Sequence, residues 1–147
     1  MATDARDPKP RTAADVMTPS PRTCSPFSSV LEAVMIFRDA DCGAVPVVDA
    51  GLPVGVLTDR DVALALAEFP DLASRPVADV MTKGAVTVAP NMPLSQVEPL
   101  FGAHGVRRLL VADAAGQLLG IIAFSDVAHR ISDTDLGAVV TEVVQKT

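Results

Sequence analysis

A 56-residue stretch of this chain is written twice, and that repetition limits the fold more than any other feature. Sliding the sequence by 64 residues lays RTAADVMT (11–18) over RPVADVMT (75–82), Thr23 over Thr87, Pro26 over Pro90 and Phe37 over Phe101. One extra residue, Ala115, raises the offset to 65, and GVLTDRD (55–61) then falls on GIIAFSD (120–126). Of the 56 positions from 11 to 66, 17 are identical, and many others exchange one aliphatic residue for another. A match of this length is a duplication, so two copies of one unit build the fold.

Both copies carry the same order of patterns. AADVM is a short helical lead-in, followed by a brief extended piece, TCS in the first copy and AVTV in the second. In SSVLEAVMIFRDA, Val30, Val34 and Phe37 recur at helical spacing with Leu31 and Met35 alongside. Ser29 followed by Glu32 has the spacing of a capping box. Two aliphatic strands come next, AVPVVD with PVGVLT and RLLVAD with LLGIIA, divided by turn residues at Ala50-Gly51 and Ala114–Gly116. A second helix, DRDVALALAEF or FSDVAHRI, closes each copy. The predicted order per unit is strand, helix, strand, strand, helix, an α/β (α+β) class.

The units are expected at 11–68 and 75–131, joined by PDLASRP, with a polar tail over 1–10. A further helix is predicted over 132–147, capped by Ser132 or Asp133. Pro99 falls inside the second copy's first helix, two turns in if Pro93 opens it, and a bend is expected there.

Composition narrows the function classes. The 147 residues suffice for a sizeable core, which Ala and Val must largely fill, because Trp and Tyr are absent. Eighteen acidic against twelve basic residues give a net charge of −6, which argues against a nucleic-acid binder but leaves room for a local basic site for a small anion. No apolar run approaches the roughly 18–20 residues of a membrane span. The N-terminus lacks the apolar core of a secretory signal, so a cytoplasmic protein with no membrane partner is expected.

Few residues carry chemistry. Thr58 three residues before Asp61, at a strand-to-helix junction, has capping spacing. The second copy keeps Asp126 although Ala123 replaces the threonine, so the carboxylate is expected to have a duty beyond the cap. Ser125 offers a substitute cap. Arg107 and Arg108 stand where the first copy has Gly43 and Ala44, so the repeat itself does not require arginine there. Cys24 and Cys42 match Val88 and Val106, which points to small buried hydrophobes, with a metal- or redox-sensing role as a weaker alternative. His104 and His129 match Ala40 and Leu64 and have no ligand-like equivalent. Asp59 and Asp61 point in different directions from a helix start with no nucleophile or metal set beside them, so an enzyme is not expected.

Taken in order, the V-M-T lead-in, T-x-x-x-P, the apolar helix, the strand ending in aspartate and G-h-h-T-x-x-D resemble cystathionine-β-synthase (CBS) domains over residues 11 to 131. A tandem pair of such units is a Bateman module. The resemblance implies two β-α-β-β-α units packed sheet against sheet about a pseudo-twofold axis, with two clefts between them. It implies a regulatory module without an obligatory cofactor, binding an adenine nucleotide (AMP, ADP or ATP) or S-adenosylmethionine. It also implies a homodimer that acts on a separate regulated protein. The competing expectation is an interaction module whose clefts are vestigial.

The same resemblance distributes residues between the clefts. The main cleft would be formed by Val56, Thr58, Arg60 and Asp61 facing Ala85, Val86, Val106, Arg107 and Arg108. Asp61 would hold ribose hydroxyls, and the arginines would hold phosphates. The second cleft would pair Ser125 and Asp126 with Thr18, Pro21, Arg22, Gly43 and Ala44. Lacking the threonine and the arginine pair, it is expected to be the weaker site.

Overall fold

The computed structural model describes residues 11–128. The polar tail over 1–10, the helix expected over 132–147 and His129 lie outside the described residues. The first copy contributes α1 (Ala13–Val16), β1 (Thr18–Pro19), α2 (Val30–Ala40), β2 (Ala44–Asp49), β3 (Leu52–Thr58) and α3 (Asp59–Ala65). The second contributes β4 (Thr82–Lys83), β5 (Thr87–Val88), α4 (Leu94–His104), β6 (Arg108–Ala112), β7 (Leu118–Ala123) and α5 (Phe124–Ala128). Single 3-10 turns occupy Leu72–Ser74 and Val77–Asp79.

Local chemistry sets the element ends. Ser29 Oγ accepts the Glu32 amide at 3.1 Å, the serine half of the expected capping box, and α2 closes at Asp41 in the left-handed region. α4 begins after Pro93 and ends at the left-handed Gly105. The helix runs on through Pro99, which has no N–H to give the Ser95 carbonyl. α3 stops at Ala65, short of the predicted DRDVALALAEF, and a turn carries the chain through 66–68.

The strands form two sheets, β1-β7-β6-β5 and β2-β3-β4. Each hairpin is antiparallel and irregular at the same repeat position, between Val47 and Val48 and between Val111 and Ala112. In the first copy, the counterpart of β5 is reduced to a single parallel bridge between Cys24 and Val47 on β2.

The lead-ins cross over. β1, from the first copy, pairs with β7 of the second, whereas β4, from the second copy, pairs with β3 of the first. The main-chain bonds repeat this exchange with the sequence offset intact. Ala13 N–H donates to Met92 O at 2.9 Å, and Val77 N–H to Ser28 O at 2.8 Å. Leu94 N–H donates to Arg11 O at 2.9 Å, and Val30 N–H to Arg75 O at 2.8 Å. Ala13 and Val16 accordingly sit in the core of the second half with Phe101, Leu109 and Ile122. Val77 sits in that of the first half with Val45, Val47 and Leu57.

This exchange explains the glycine that opens GVLTDRD and GIIAFSD. A Cβ on Gly55 would lie 2.6 Å from Thr82 O and 2.9 Å from Met81 Sδ. On Gly120 it would lie 2.5 Å from Met17 Sδ and 2.9 Å from Thr18 O. The methionine of one V-M-T lies over the glycine of the other copy, an approach that any side chain would block.

Candidate functional site

The strand-to-helix junction of the first copy supplies one wall of the first cleft. β3 passes directly into α3, and a reciprocal capping box fixes the joint. Thr58 N–H donates to Asp61 Oδ2 at 3.0 Å, and Asp61 N–H donates to Thr58 Oγ1 at 3.1 Å. Thr82 Oγ1, from the crossing lead-in, lies 3.5 Å from the same aspartate oxygen. Asp59 N–H donates to Gly43 O at 3.0 Å, holding the start of α3 against the loop before β2. In the second copy Phe124 N–H donates to Arg107 O at 2.8 Å in the same way.

The first cleft has a volume of about 500 Å³, within the usual range for a small-molecule site. Its walls bring together Val56, Thr58 and Arg60 from the first copy with Ala85, Val86, Val106, Arg107 and Arg108 from the second. Those are eight of the nine residues expected there. Asp61 is the exception: its carboxylate is turned into the cap, and the residue is not part of the wall. Gly43, Asp59, Thr82, Gly84 and Gly105 join the wall and were not foreseen from the sequence. Thr82 is the repeat counterpart of Thr18, which was already expected in the second cleft, so the 64-residue offset was a signal that could have placed it in the first.

The second cleft, about 410 Å³, is walled by Thr18, Pro21, Arg22, Gly43, Ala44 and Asp126, as expected. Ser125 is exposed on the first turn of α5 and is not part of it. Pro19, Ser20, Ala40, Cys42, Ile121 and Ala123 also line it. One unforeseen member changes its chemistry: Arg108 reaches this cleft too, so it is not left with Arg22 alone.

The retention of Asp126 also has a simpler cause than the sequence suggested. Asp126 Oδ2 accepts the Ala123 N–H at 2.9 Å, the same bond that Asp61 takes from Thr58. The carboxylate half of the cap survives loss of the hydroxyl half, because it needs only a backbone donor. Keeping the aspartate therefore does not by itself imply a second duty.

Charge is placed unevenly in this acidic chain. Arg60 and Arg107 are exposed and Arg108 half-buried, and all three face the first cleft, with Asp59 the one carboxylate in its wall. The same lining also carries apolar side chains, Val56, Ala85, Val86 and Val106. A ligand with a flat apolar body and an anionic end matches this lining.

Both cysteines are free. Cys24 is buried, and desolvation, with a further push from the Glu32 charge, raises its thiol to about 11. Cys42 is half-buried on the second cleft. No cluster of three or more His, Cys, Asp or Glu side chains is placed to hold a metal among the described residues. No helix among them is long and apolar enough to cross a membrane.

A CBS-domain family model matches residues 13–68 and again residues 77–133. This chain belongs to the CBS-domain family. It is similar to the CBS domain-containing protein YhcV of Bacillus subtilis (strain 168), 35% identical over 130 residues spanning 88% of this chain and 92% of that protein. Among solved structures, CBSX2 in complex with AMP is 30% identical with a TM-score of 0.68, covering 82% of this chain and 95% of that one. The CBS-domain containing protein ATU1752 from Agrobacterium tumefaciens is 26% identical with a TM-score of 0.74, covering 87% and 98%.

Proposed function

We propose that this chain is a regulatory module that holds an adenine nucleotide in the first cleft and signals its presence to a partner protein. The observation that carries the reading is a cleft lining that combines apolar side chains with three arginines in a chain of net charge −6. Val56, Val86 and Val106 would flank the base, and Arg60, Arg107 and Arg108 would meet the phosphates. The 30% identical CBSX2, solved with AMP, supports the choice of ligand class. Asp61 would reach the ribose only if its carboxylate served the ligand and the cap together.

The signal would be a change in the angle between the halves, or in the pairing of two modules. Leu31 and Met35, four residues apart on α2, and Leu64 on α3 are exposed and would suit a homodimer contact. A ligand shifts such an equilibrium by no more than its difference in affinity for the two states.

Calorimetric titration with AMP, ADP, ATP and S-adenosylmethionine, with sedimentation of the same samples, tests this. An adenine nucleotide is expected to bind below millimolar concentration, about tenfold or more weaker in Arg107→Met, where a charge-assisted contact is lost. Asp61→Asn keeps an acceptor for the Thr58 amide and so isolates the ribose contact from the cap. Asp126→Asn should leave the main site unchanged. Absence of binding by all four compounds would sink the proposal and leave the exposed α2 and α3 face, with an interaction role, as the better reading.

A further inference from the structure

Arg108 and Gly43 line both clefts. The repeat explains how. Gly43 stands where the second copy has Arg107, and Ala44 where it has Arg108, so a long cation on one side of the pseudo-twofold axis faces a residue without a side chain on the other. A Cβ on Gly43 would lie 3.5 Å from Arg108 Nη2 and 3.4 Å from Asp59 Oδ2. The guanidinium thus lies at the opening that glycine leaves, with a carboxylate on its first-cleft side. Arg108 Nη1 donates to the Arg107 carbonyl at 3.3 Å, and the residue is half-buried.

We propose that Arg108 is an anion ligand shared by the two clefts, so that an anionic group held in one draws the guanidinium from the other and the sites bind antagonistically. The proposal rests on reading the clefts as anion sites and adds the residue that couples them. A guanidinium presents one planar fork of donors. Turned to a phosphate in the first cleft, it leaves the second with Arg22 against Asp126. Reciprocity then requires that loading the second cleft weaken the first by the same factor.

The test titrates AMP, and separately inorganic pyrophosphate, into the wild type, Arg22→Met, Arg108→Met and Arg108→Lys. Calorimetry gives the affinities, and the rate of Cys42 alkylation reports the second cleft independently, since Cys24 is buried. The wild type should show two unequal sites about tenfold apart. Cys42 should be protected only as the weaker site fills. Arg22→Met should remove the weaker site alone. Arg108→Met should weaken both sites and bring them to independence, and Arg108→Lys, which keeps the charge without the fork, should recover part of both affinities. Weakening at one cleft only, equal sites in the wild type, or a single site that stays single in Arg108→Met would overturn the shared arginine while leaving nucleotide binding intact. Pyrophosphate showing the coupled pattern without AMP binding would support the shared arginine and overturn the nucleotide reading. Binding of neither anion would overturn both.

Discussion

The two clefts lie on matching backbone and differ in what their side chains offer. Around the first stand Arg60, Arg107 and Arg108, with glycine at position 84. Around the second, Gly43 and Ala44 occupy the places of the arginine pair, and Ser20, in the left-handed region at φ 46°, occupies the place of Gly84. By contrast, the contacts that lock the halves together are the same on both sides: V-M-T over glycine, and lead-in amides on the opposite copy's carbonyls. Duplication has kept what holds the halves and released what lines the clefts. A cleft wall on this fold can therefore change its ligand chemistry without disturbing the exchange.

The largest expected effect breaks the part that is alike. Gly55→Ala and Gly120→Ala should each cost about 2–3 kcal/mol in urea unfolding, the upper range for forcing atoms into a packed site. The comparison is sharpened by relief. At Gly120 the nearest atom is the flexible Met17 Sδ at 2.5 Å, whereas at Gly55 it is the backbone Thr82 O at 2.6 Å. Met17→Ala should recover more of the loss in Gly120→Ala than Met81→Ala recovers in Gly55→Ala. Unchanged midpoints in both glycine variants would mean that the lead-ins do not cross.

A smaller effect separates the two helix starts. α3 has both halves of its cap, whereas Asp126 receives only the backbone half from Ala123. Thr58→Ala should therefore destabilise by about 1 kcal/mol, and Ala123→Thr should stabilise by a similar or smaller amount, since it restores the missing hydroxyl acceptor. Denaturation midpoints of the two single variants are enough. A destabilising Ala123→Thr would show that the second junction has repacked around its alanine.

The duplication and the hairpins were legible in the sequence because they follow from local pattern and offset, whereas most of both cleft walls came from the resemblance to CBS domains. The crossing of the lead-ins was not. An offset of 64 residues is the same whether RTAADVMT folds onto its own copy or the other, and no local propensity distinguishes the two. The glycines of GVLTDRD and GIIAFSD could be seen, but the methionine lying over each could not. Arg108 was assigned to one cleft because alignment places a backbone, not the far end of a long side chain. Asp61 was assigned to a wall by its motif; it caps α3 through the Thr58 amide and does not line the first cleft, whereas Asp126 makes the same bond and does line the second.

The smallest effect concerns the lead-ins, where the repeat substitutes proline for threonine. Asp15 accepts the backbone amides of Arg11 at 2.9 Å and Thr12 at 3.0 Å. Its repeat partner Asp79 follows Pro76, which has no amide to offer, and bonds instead with Arg75 Nη1 at 3.3 Å. The amides of Arg11 and then Thr12 hold the Asp15 carboxyl below its ordinary value of 3.8. A lowered folded pKa means that the unfolded chain binds more protons in that window, so stability rises with pH there. The contribution is complete above the ordinary carboxylate value and disappears as pH falls through the folded one. The stability gap between wild type and Asp15→Asn should accordingly be present at neutral pH and shrink below about 3.8. It should also resist salt better than the gap for Asp79→Asn, because exposed ion pairs are screened and weak. A gap that stays constant into acid would show that the amide bonds, not the charge, carry the cap.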